Sequence, residues 1–318
     1  MLTIKQILED QRLFGESIHQ FDADKFETTK TLLLGLQTEV TQLAETFNFR
    51  KHTKGKSGFD KSGFIYECAD VIRYVAALLN SHEISAEDFS EAINIRSEFL
   101  KIRNDIEKNE WEPDQPVLVV DVDDVLADFR YDFYKFLEQK GVDTSINDNG
   151  YYNTNAILKA GLDPRTIFDD FINSGGMKSL PPTLWLIDFL NEARNRGFFI
   201  QILTARPKNN PMTHYLTYTW IRENGLEVDA IDFSPEKYSW LTGQEYFQKG
   251  CVVAAIDDSP KHCIEYARHG VNVLAPLKNY NVEELNNVNL VKIYRNHDEF
   301  EEAFLNYAQN HSKSCSLY

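Results

Sequence analysis

Hydrophobic residues follow two different patterns in the two parts of this chain. Over the first 110 residues they recur every three or four positions, in residues 32–47, 64–79 and 89–106. Glycine and proline are almost absent from these stretches, so little interrupts the helical pattern. The pattern predicts an all-α N-terminal domain of about four helices.

After residue 116 the pattern changes to short, continuous apolar runs. Residues 117–120, 198–203 and 252–256 form three such runs, and each ends in polar residues. Runs of this kind indicate strands that are buried on both faces, as in parallel sheets. The polar segment 111–116, WEPDQP, separates the two patterns and contains two prolines. We therefore expect an all-α domain at 1–110, a linker at 111–116, an α/β domain at 117–309 and a frayed tail at 310–318.

A long segment, residues 130–202, separates the first two predicted strands. Its middle part is rich in Tyr, Asn, Asp and Gly, which predicts a small helical cap at about 135–180. Caps in this position exclude water and select the substrate, and Gly175 and Gly176 are candidate hinge residues. A small cap favours a small substrate.

Acidic residues crowd the end of the first run, at Asp121, Asp123 and Asp124. The carboxyl ends of strands are where open α/β sheets hold their ligands. Because neighbouring carboxylates repel one another unless a cation holds them, the spacing predicts a divalent metal with oxygen ligands, and Mg²⁺ is the natural candidate. The second run ends at Thr204 and the third at the acidic pair Asp257 and Asp258.

Together with Lys237, these residues resemble in order and spacing the four motifs of the haloacid dehalogenase (HAD) phosphatase superfamily, over residues 116–295. The resemblance implies a Rossmann-like α/β domain that uses Mg²⁺. Phosphoryl transfer then makes Asp121 the nucleophile that forms an aspartyl-phosphate, and Asp123 the acid and base. The other implied roles are phosphate binding by Thr204, Ala205 and Lys237, and Mg²⁺ binding by Asp121, Asp123 through its carbonyl, Asp257 and Asp258. The alternative is that these acids cap the helices that follow the strands.

Within the superfamily, the sequence is more similar to the 5′(3′)-deoxyribonucleotidases. Residues 121–129, DVDDVLADF, resemble their first motif, and residues 180–197 and 234–241 resemble the segments around the second and third. Asp124 stands where those enzymes usually have glycine. In that family the aromatic residue matching Phe129 stacks on the base, although core packing is an equally open interpretation here. Arg206, beside Thr204, is also expected to contact the substrate.

Two predicted helices of the N-terminal domain carry pairs of polar residues three positions apart: Glu39 and Gln42, and Glu67 and Asp70. Residues at this spacing share one helix face, so all four converge if the helices pack antiparallel. The segments 36–45 and 67–75 resemble the metal-binding motifs of all-α nucleoside triphosphate pyrophosphohydrolases, the MazG-like and dimeric dUTPase group, over residues 26–106. The resemblance implies that these four residues bind Mg²⁺, with Glu45 as an additional candidate ligand.

Gln42 departs from that pattern, because the family has a second glutamate there. Losing an anionic ligand weakens Mg²⁺ binding, so the domain is expected to be slower, to use fewer metals or to bind without cutting. The basic loop that follows has the composition a triphosphate needs, with Lys51 and Lys54 as candidate ligands. An ordinary solvated loop is the alternative.

Composition limits the other possibilities. The formal net charge is -16, and both halves of the chain are acidic, which argues against long nucleic acid as a partner. The four cysteines lack metal-ligand spacing, and no segment has the pattern of a signal peptide or a membrane span. His52, His214 and His262 are isolated and are not expected to be ligands. These features predict a cytoplasmic protein with reduced thiols.

The hypothesis from the sequence is a bifunctional nucleotide hydrolase. The N-terminal domain would convert a (deoxy)nucleoside triphosphate to monophosphate and pyrophosphate, and the C-terminal domain would hydrolyse the monophosphate to nucleoside and phosphate. One alternative is a single phosphatase whose helical domain only oligomerises or senses nucleotides. Another is a regulatory protein that binds nucleotides without turnover. A homo-oligomer is implied only by the resemblance to the helical pyrophosphohydrolases.

Overall fold

The computed structural model describes residues 2–17, 24–46, 60–145 and 154–315. It divides into two compact units, Met1–Ser97 and Glu98–Tyr318. The predicted ligands Lys51 and Lys54 lie outside the described residues. None of the helices in the described ranges has both the length and the hydropathy that a membrane span requires.

Four helices begin the chain: α1 (Ile4–Ser17), α2 (Lys25–Glu45), α3 (Lys61–Ser81) and α4 (Ala86–Ile106). Asp24 starts α2 by accepting hydrogen bonds from the N–H groups of Phe26 and Glu27, and Asp60 starts α3 in the same way. The helical N-terminal region predicted from the hydrophobic spacing is confirmed.

Helices α2 and α3 pack antiparallel. Near one end of the pair, Lys25 Nζ lies 2.8 Å from Glu83 Oε1, while further along α2 Gly35 faces the ring of Tyr74. A Cβ atom at residue 35 would lie 2.2 Å from Tyr74 Cε1, so only glycine allows this approach. The antiparallel arrangement brings Glu39 towards the start of α3, where the second acidic pair lies.

The two units divide within α4, between residues 97 and 98, and not at the predicted linker 111–116. The reason is burial, because Phe99 and Ile102 are part of the hydrophobic core of the second unit. Trp111 of the predicted linker also packs on that unit, where its indole N–H donates to the carbonyl of Gln115.

The second unit is built on a six-stranded parallel sheet with the order β3-β2-β1-β4-β5-β6. The strands are β1 (Val117–Val120), β2 (Phe199–Thr204), β3 (Ala230–Phe233), β4 (Val252–Ile256), β5 (Val273–Pro276) and β6 (Val291–Tyr294). β1 is buried along its whole length, as predicted. Because the chain builds one side of the sheet through β2 and β3 and then returns to β4, the change of direction lies at β1, and its carboxyl end opens into a crevice.

Helices connect the strands on this parallel α/β framework. They are α5 (Phe129–Gln139), α6 (Thr154–Lys159), α7 (Pro164–Asn173), α8 (Leu184–Asn195), α9 (Pro211–Glu223), α10 (Lys237–Thr242), α11 (Glu245–Gln248), α12 (Pro260–Arg268), α13 (Val282–Leu285) and α14 (His297–Cys315), with a 3₁₀ turn at Gly176–Lys178. The described part of the predicted cap region holds α6, α7 and the 3₁₀ turn. Of its candidate hinge residues, Gly175 has a left-handed φ of 82°, and Gly176 packs tightly against the ring of Phe171.

Candidate functional site

The loop after β1 fixes the position of Asp121. Its N–H donates to the carbonyl of Ile256 at 2.9 Å, which attaches the residue to the end of β4. Three residues later, Asp124 adopts a left-handed φ of 57°. Glycine adopts this conformation most readily and aspartate tolerates it, so the geometry explains both the glycine expected at this position and the aspartate found there.

Lys237 joins the ends of two central strands. Its Nζ lies 2.8 Å from Asp121 Oδ1 and 2.7 Å from Asp257 Oδ2, and its side chain is 1% exposed. Burial alone would lower the pKa of Lys237, but the two carboxylates raise it above its usual value. Burial raises the pKa of Asp121 to about 6, and the neighbouring acids Asp257 and Asp123 add to this while Lys237 opposes it.

Asp258 is also buried and is held by the segment after β5. Tyr280 donates its hydroxyl proton to the Asp258 carboxylate, and Asn281 Nδ2 donates to the Asp258 carbonyl at 2.9 Å. Burial raises the pKa of Asp258 well above its usual range, and the charges of Asp257 and Asp121 raise it further. The hydroxyl of Tyr280 also lies 3.3 Å from Asp124 Oδ2.

Asp121, Asp257 and Asp258 place one carboxylate oxygen each within 4.8 Å of one another. Three buried carboxylates this close together form a hard, anionic donor set, and this chemistry fits a divalent cation such as Mg²⁺. Asp128 is the N-cap residue of α5, and Asp124 Oδ1 also accepts from the N–H of Arg130 in the first turn of that helix, at 3.2 Å. Ser259 is the N-cap residue of α12, and its N–H donates to Asp257 Oδ1 at 2.9 Å. Helix capping therefore describes Asp124 in part, whereas Asp121, Asp257 and Asp258 cluster with one another.

Asp123 points to a different partner. Arg206 donates from Nη2 and Nε to the two oxygens of the Asp123 carboxylate, at 2.6 and 2.9 Å, and from Nη1 to Thr217 Oγ1 at 2.9 Å. The Arg206 side chain is fully buried. In this arrangement the guanidinium is bonded to protein groups, although Arg206 also lines the cavity described below, and its contact with substrate stays a prediction. No local pattern in the sequence indicates this pairing, because the two residues lie 83 positions apart.

Phe129 packs in an aromatic cluster and is only 2% exposed. Its ring stacks on Phe133 at a centroid distance of 5.1 Å and meets Phe171 edge to face at 5.6 Å. Of the two interpretations that the sequence left open, core packing describes this position, because base stacking would require an exposed ring face.

A cavity of about 30 Å³ lies among the strand ends. It is lined by Asp121, Asp123, Asp124, Phe129, Thr204, Ala205, Arg206, Asp258, Ser259 and His262. The structure thus brings most of the predicted residues to one place, and Lys237 is bonded to both Asp121 and Asp257. Sequence reasoning missed Ser259 and His262. The only available signal was their position in the first turn of a helix that starts directly after the acidic pair.

The first unit holds a second acidic cluster, formed by Glu39, Glu67 and Asp70, whose ligand oxygens lie within 4.8 Å of one another. These residues are partly exposed. Partial desolvation raises the pKa of Glu39, and the charges of Asp70 and Glu67 raise it further. With the Gln42 amide oriented so that its nitrogen faces the acids, Nε2 donates to Glu39 at 2.8 Å and to Glu67 at 3.3 Å. The structure brings all four predicted residues together, whereas Glu45 lies outside the cluster.

No family model and no curated protein matches the sequence. Among solved structures, the chain is similar to a haloacid dehalogenase-like family hydrolase from Streptococcus pneumoniae, with 15% identity and a TM-score of 0.43. The match covers 58% of this chain and 96% of that chain. A backbone likeness at this level does not identify a function, so the geometry of the two clusters must carry it.

Proposed function

We propose that the second unit is a Mg²⁺-dependent phosphatase of the HAD type that hydrolyses nucleoside monophosphates. The observation that carries this proposal is the position of Asp121. Its carboxylate lies at the crevice of a parallel sheet, 2.8 Å from Lys237 and within 4.8 Å of the acids that follow β4. A buried carboxylate held this way has both the fixed orientation and the charge neutralisation that nucleophilic attack on phosphorus needs.

The reaction has two steps on this chain's own residues. In the first, an oxygen of Asp121 attacks phosphorus, the bond to the ester oxygen breaks, and Asp123 gives that oxygen a proton. In the second, Asp123 takes a proton from water, which displaces phosphate from Asp121. Thr204 and Lys237 bind the phosphoryl oxygens. When bound by Asp121, Asp257 and Asp258, Mg²⁺ would supply charge neutralisation for the equatorial oxygens.

For Asp123 to act as the acid, its pairing with Arg206 has to change during this cycle. Both side chains line the cavity, so this change takes place beside the substrate. The Asp123 carboxylate is 19% exposed and is the more accessible member of its pair with Arg206. Exchanging one of the Arg206 hydrogen bonds for the ester oxygen would place Asp123 in its role as acid.

The nucleotide assignment comes from the resemblance of residues 121–129, 180–197 and 234–241 to the deoxyribonucleotidases. A small cap supports a small substrate. Because Phe129 is buried among other aromatic rings, we expect base recognition to come from other side chains.

The test is to supply each common nucleoside monophosphate with Mg²⁺ and to measure phosphate release. A brief reaction quenched in acid should yield a phosphorylated peptide containing Asp121. Phosphate release without that modified peptide in any quench would exclude Asp121 as nucleophile, and the absence of phosphate release from every nucleotide would exclude the nucleotidase.

For the first unit we propose hydrolysis of a nucleoside triphosphate to monophosphate and pyrophosphate. The clustering of Glu39, Glu67 and Asp70 supports it, since three carboxylates on antiparallel helices can hold Mg²⁺ against a triphosphate. The monophosphate produced would be the substrate of the second unit. Because one chain carries both activities, the local concentration of the monophosphate near the second unit is raised.

A second candidate is a helical unit that senses nucleotides or oligomerises without catalysis. Gln42 favours it, because a neutral amide bonded to Glu39 and Glu67 lowers the negative charge available to metal ions. Measuring pyrophosphate release from a triphosphate by the whole protein separates the two candidates. Release favours the pyrophosphohydrolase, and its absence favours the sensing or oligomerising unit.

We also propose that this protein forms a homo-oligomer through its first unit. On α2, Leu33 and Val40 are seven positions apart and about half exposed. On α3, Ile65 and Ile72 have the same spacing and a similar exposure. Residues seven apart share a helix face, and exposed apolar faces of this kind are typical of association surfaces. Analytical ultracentrifugation tests it: a monomer at micromolar concentration would contradict the proposal.

A further inference from the structure

His262 occupies the first turn of α12, directly after the acidic pair that ends β4. Ser259 is the N-cap residue of this helix and Pro260 its first residue, so His262 stands at the third helical position. Its side chain belongs to the lining of the catalytic cavity, together with Asp121 and Thr204. The residue is 6% exposed.

The imidazole has a buried ring nitrogen that lacks a partner. Nδ1 of His262 is shielded from solvent and makes no hydrogen bond within the part of the chain that the structure describes. Buried polar side chains are nearly always hydrogen-bonded, and an exception at a ligand cavity indicates a group that the ligand completes. The hydroxyls of Thr213, Thr219 and Tyr266 also lack partners there, but none of these residues lines the cavity.

The electrostatic surroundings make this imidazole a neutral hydrogen-bonding group. Burial lowers the pKa of His262 to about 4, and the positive charge of Lys237 contributes in the same direction. A neutral imidazole carries one N–H and can donate it to an anionic oxygen without adding a charge that would compete with Lys237 for Asp121. Such a donor suits a phosphoryl oxygen on the side of the cavity formed by α12.

We propose that His262 is a phosphate-binding residue that donates a hydrogen bond to a phosphoryl oxygen of the substrate. This inference rests on the phosphatase proposed for the second unit and adds a donor from α12 to those of Thr204 and Lys237. Because the same contact exists before and after bond cleavage, His262 contributes mainly to the binding of substrate and of product phosphate.

The experiment compares the complete protein with its His262→Phe, His262→Asn and His262→Gln variants in the presence of Mg²⁺. Calorimetry with inorganic phosphate gives Kd, and steady-state hydrolysis of a nucleoside monophosphate gives KM and kcat. We expect His262→Phe to raise Kd and KM about 10-fold, the effect of one lost hydrogen bond, and to change kcat by less than about 3-fold. Asparagine places its amide near Nδ1 and glutamine near Nε2, so one of the two should restore binding to within about 3-fold of the parent.

Thermal unfolding distinguishes binding from a structural role. Without phosphate, His262→Phe should unfold at the same temperature as the parent or higher, because the unpartnered nitrogen is removed, while the rise in Tm that phosphate causes should shrink. His269→Phe, an exposed position at the end of the same helix, is the matched control and should bind phosphate as the parent does.

Unchanged phosphate binding in His262→Phe, or a loss that neither asparagine nor glutamine restores, would overturn the inference. Suppose that the parent is active, that Asp121→Asn is inactive and that the His262 variants behave as the parent does. The phosphatase proposal then holds, and only the phosphate-binding role of His262 is wrong. A parent that neither binds phosphate nor hydrolyses any monophosphate would overturn both.

Discussion

Each of the two acidic clusters holds three carboxylates whose ligand oxygens lie within 4.8 Å of one another, but their surroundings differ. Asp121, Asp257 and Asp258 are buried, and Lys237 bonds to two of these three acids. Glu39, Glu67 and Asp70 are partly exposed, and their neighbour is the neutral amide of Gln42. Water screens the partly exposed cluster more than the buried one, so the buried acids depend on a fixed cation while the exposed ones tolerate its absence.

This difference has consequences for how each cluster would work. Burial and Lys237 hold the Asp121 carboxylate in one orientation before any ligand arrives, which favours reactivity of the residue itself. The exposed cluster has no such fixed charge partner, so its order depends on the metal ions that it binds. We therefore expect single substitutions to have larger effects in the second unit than in the first.

The largest effect is expected for Asp121→Asn. Removing the nucleophile should lower phosphate release from a nucleoside monophosphate by at least about 10³-fold, since an amide cannot form the acyl-phosphate. With a triphosphate as substrate, the reaction should stop at monophosphate and pyrophosphate, measured by chromatography. The exposed Asp188→Asn on α8 is the control. Nucleoside production by the Asp121→Asn protein would contradict the assignment.

Lys237→Met should have the largest effect on stability. It leaves Asp121 and Asp257 buried without their cation, which costs about 3–5 kcal/mol in the free energy of unfolding when Mg²⁺ is absent. Added Mg²⁺ should restore part of the loss by binding the folded acids. Lys261→Met removes an exposed pair with Glu236 and should cost about 0–1 kcal/mol. If urea denaturation shows that both variants lose the same free energy of unfolding, burial of the ion pairs of Lys237 has no energetic role.

Substitution in the exposed cluster should affect one activity and little else. Glu67→Gln combined with Asp70→Asn should lower pyrophosphate release from a triphosphate about 10²-fold, because two anionic ligands are lost. Hydrolysis of monophosphate should stay unchanged, and so should the urea midpoint, since partly exposed acids contribute little to folding. Glu91→Gln on α4 is the control. Retained pyrophosphate release would favour the sensing or oligomerising helical unit.

The smallest effect is expected for Gln42→Glu, which returns the charge that the family pattern has at this position. A fourth carboxylate should raise Mg²⁺ affinity and pyrophosphate release by roughly 3- to 10-fold. In the absence of metal it should lower Tm slightly, because Glu39 and Glu67 lose an amide donor and gain a like charge. If Mg²⁺ titrations followed by calorimetry show no gain, the cluster does not bind metal in the proposed way.

Much of the site in the second unit could be predicted, because its motifs follow strands. In a parallel sheet the carboxyl ends of neighbouring strands share one edge, so apolar runs ending in Asp121, Thr204 and Asp257 imply that these residues meet. The same reasoning holds for the helices, where a three-residue spacing puts Glu39 with Gln42 and Glu67 with Asp70 on single faces. These are local periodicities, and they need no knowledge of distant contacts.

The remaining features depend on contacts between segments far apart in the chain. Arg206 looked like a substrate ligand because it follows Thr204, yet it is bonded to Asp123 from the preceding motif. Isolated histidines gave no signal in the sequence, but the start of α12 carries His262 into the cavity wall. The unit boundary within α4 was likewise hidden, because Phe99 and Ile102 continue a helical pattern whose partners lie in another part of the chain.

The amino-acid sequence by itself determined the helical and strand segments, the acids at the strand ends and the paired polar residues on two helices. Those features follow from periodicity and from the geometry of parallel strands, which act over a few residues. Only the tertiary structure decided which groups became buried, and therefore whether a charge pairs with Lys237, with Arg206 or with water. Burial and pairing set the pKa and the reactivity of each carboxylate. Because both depend on which distant segments pack together, no local sequence pattern predicts them.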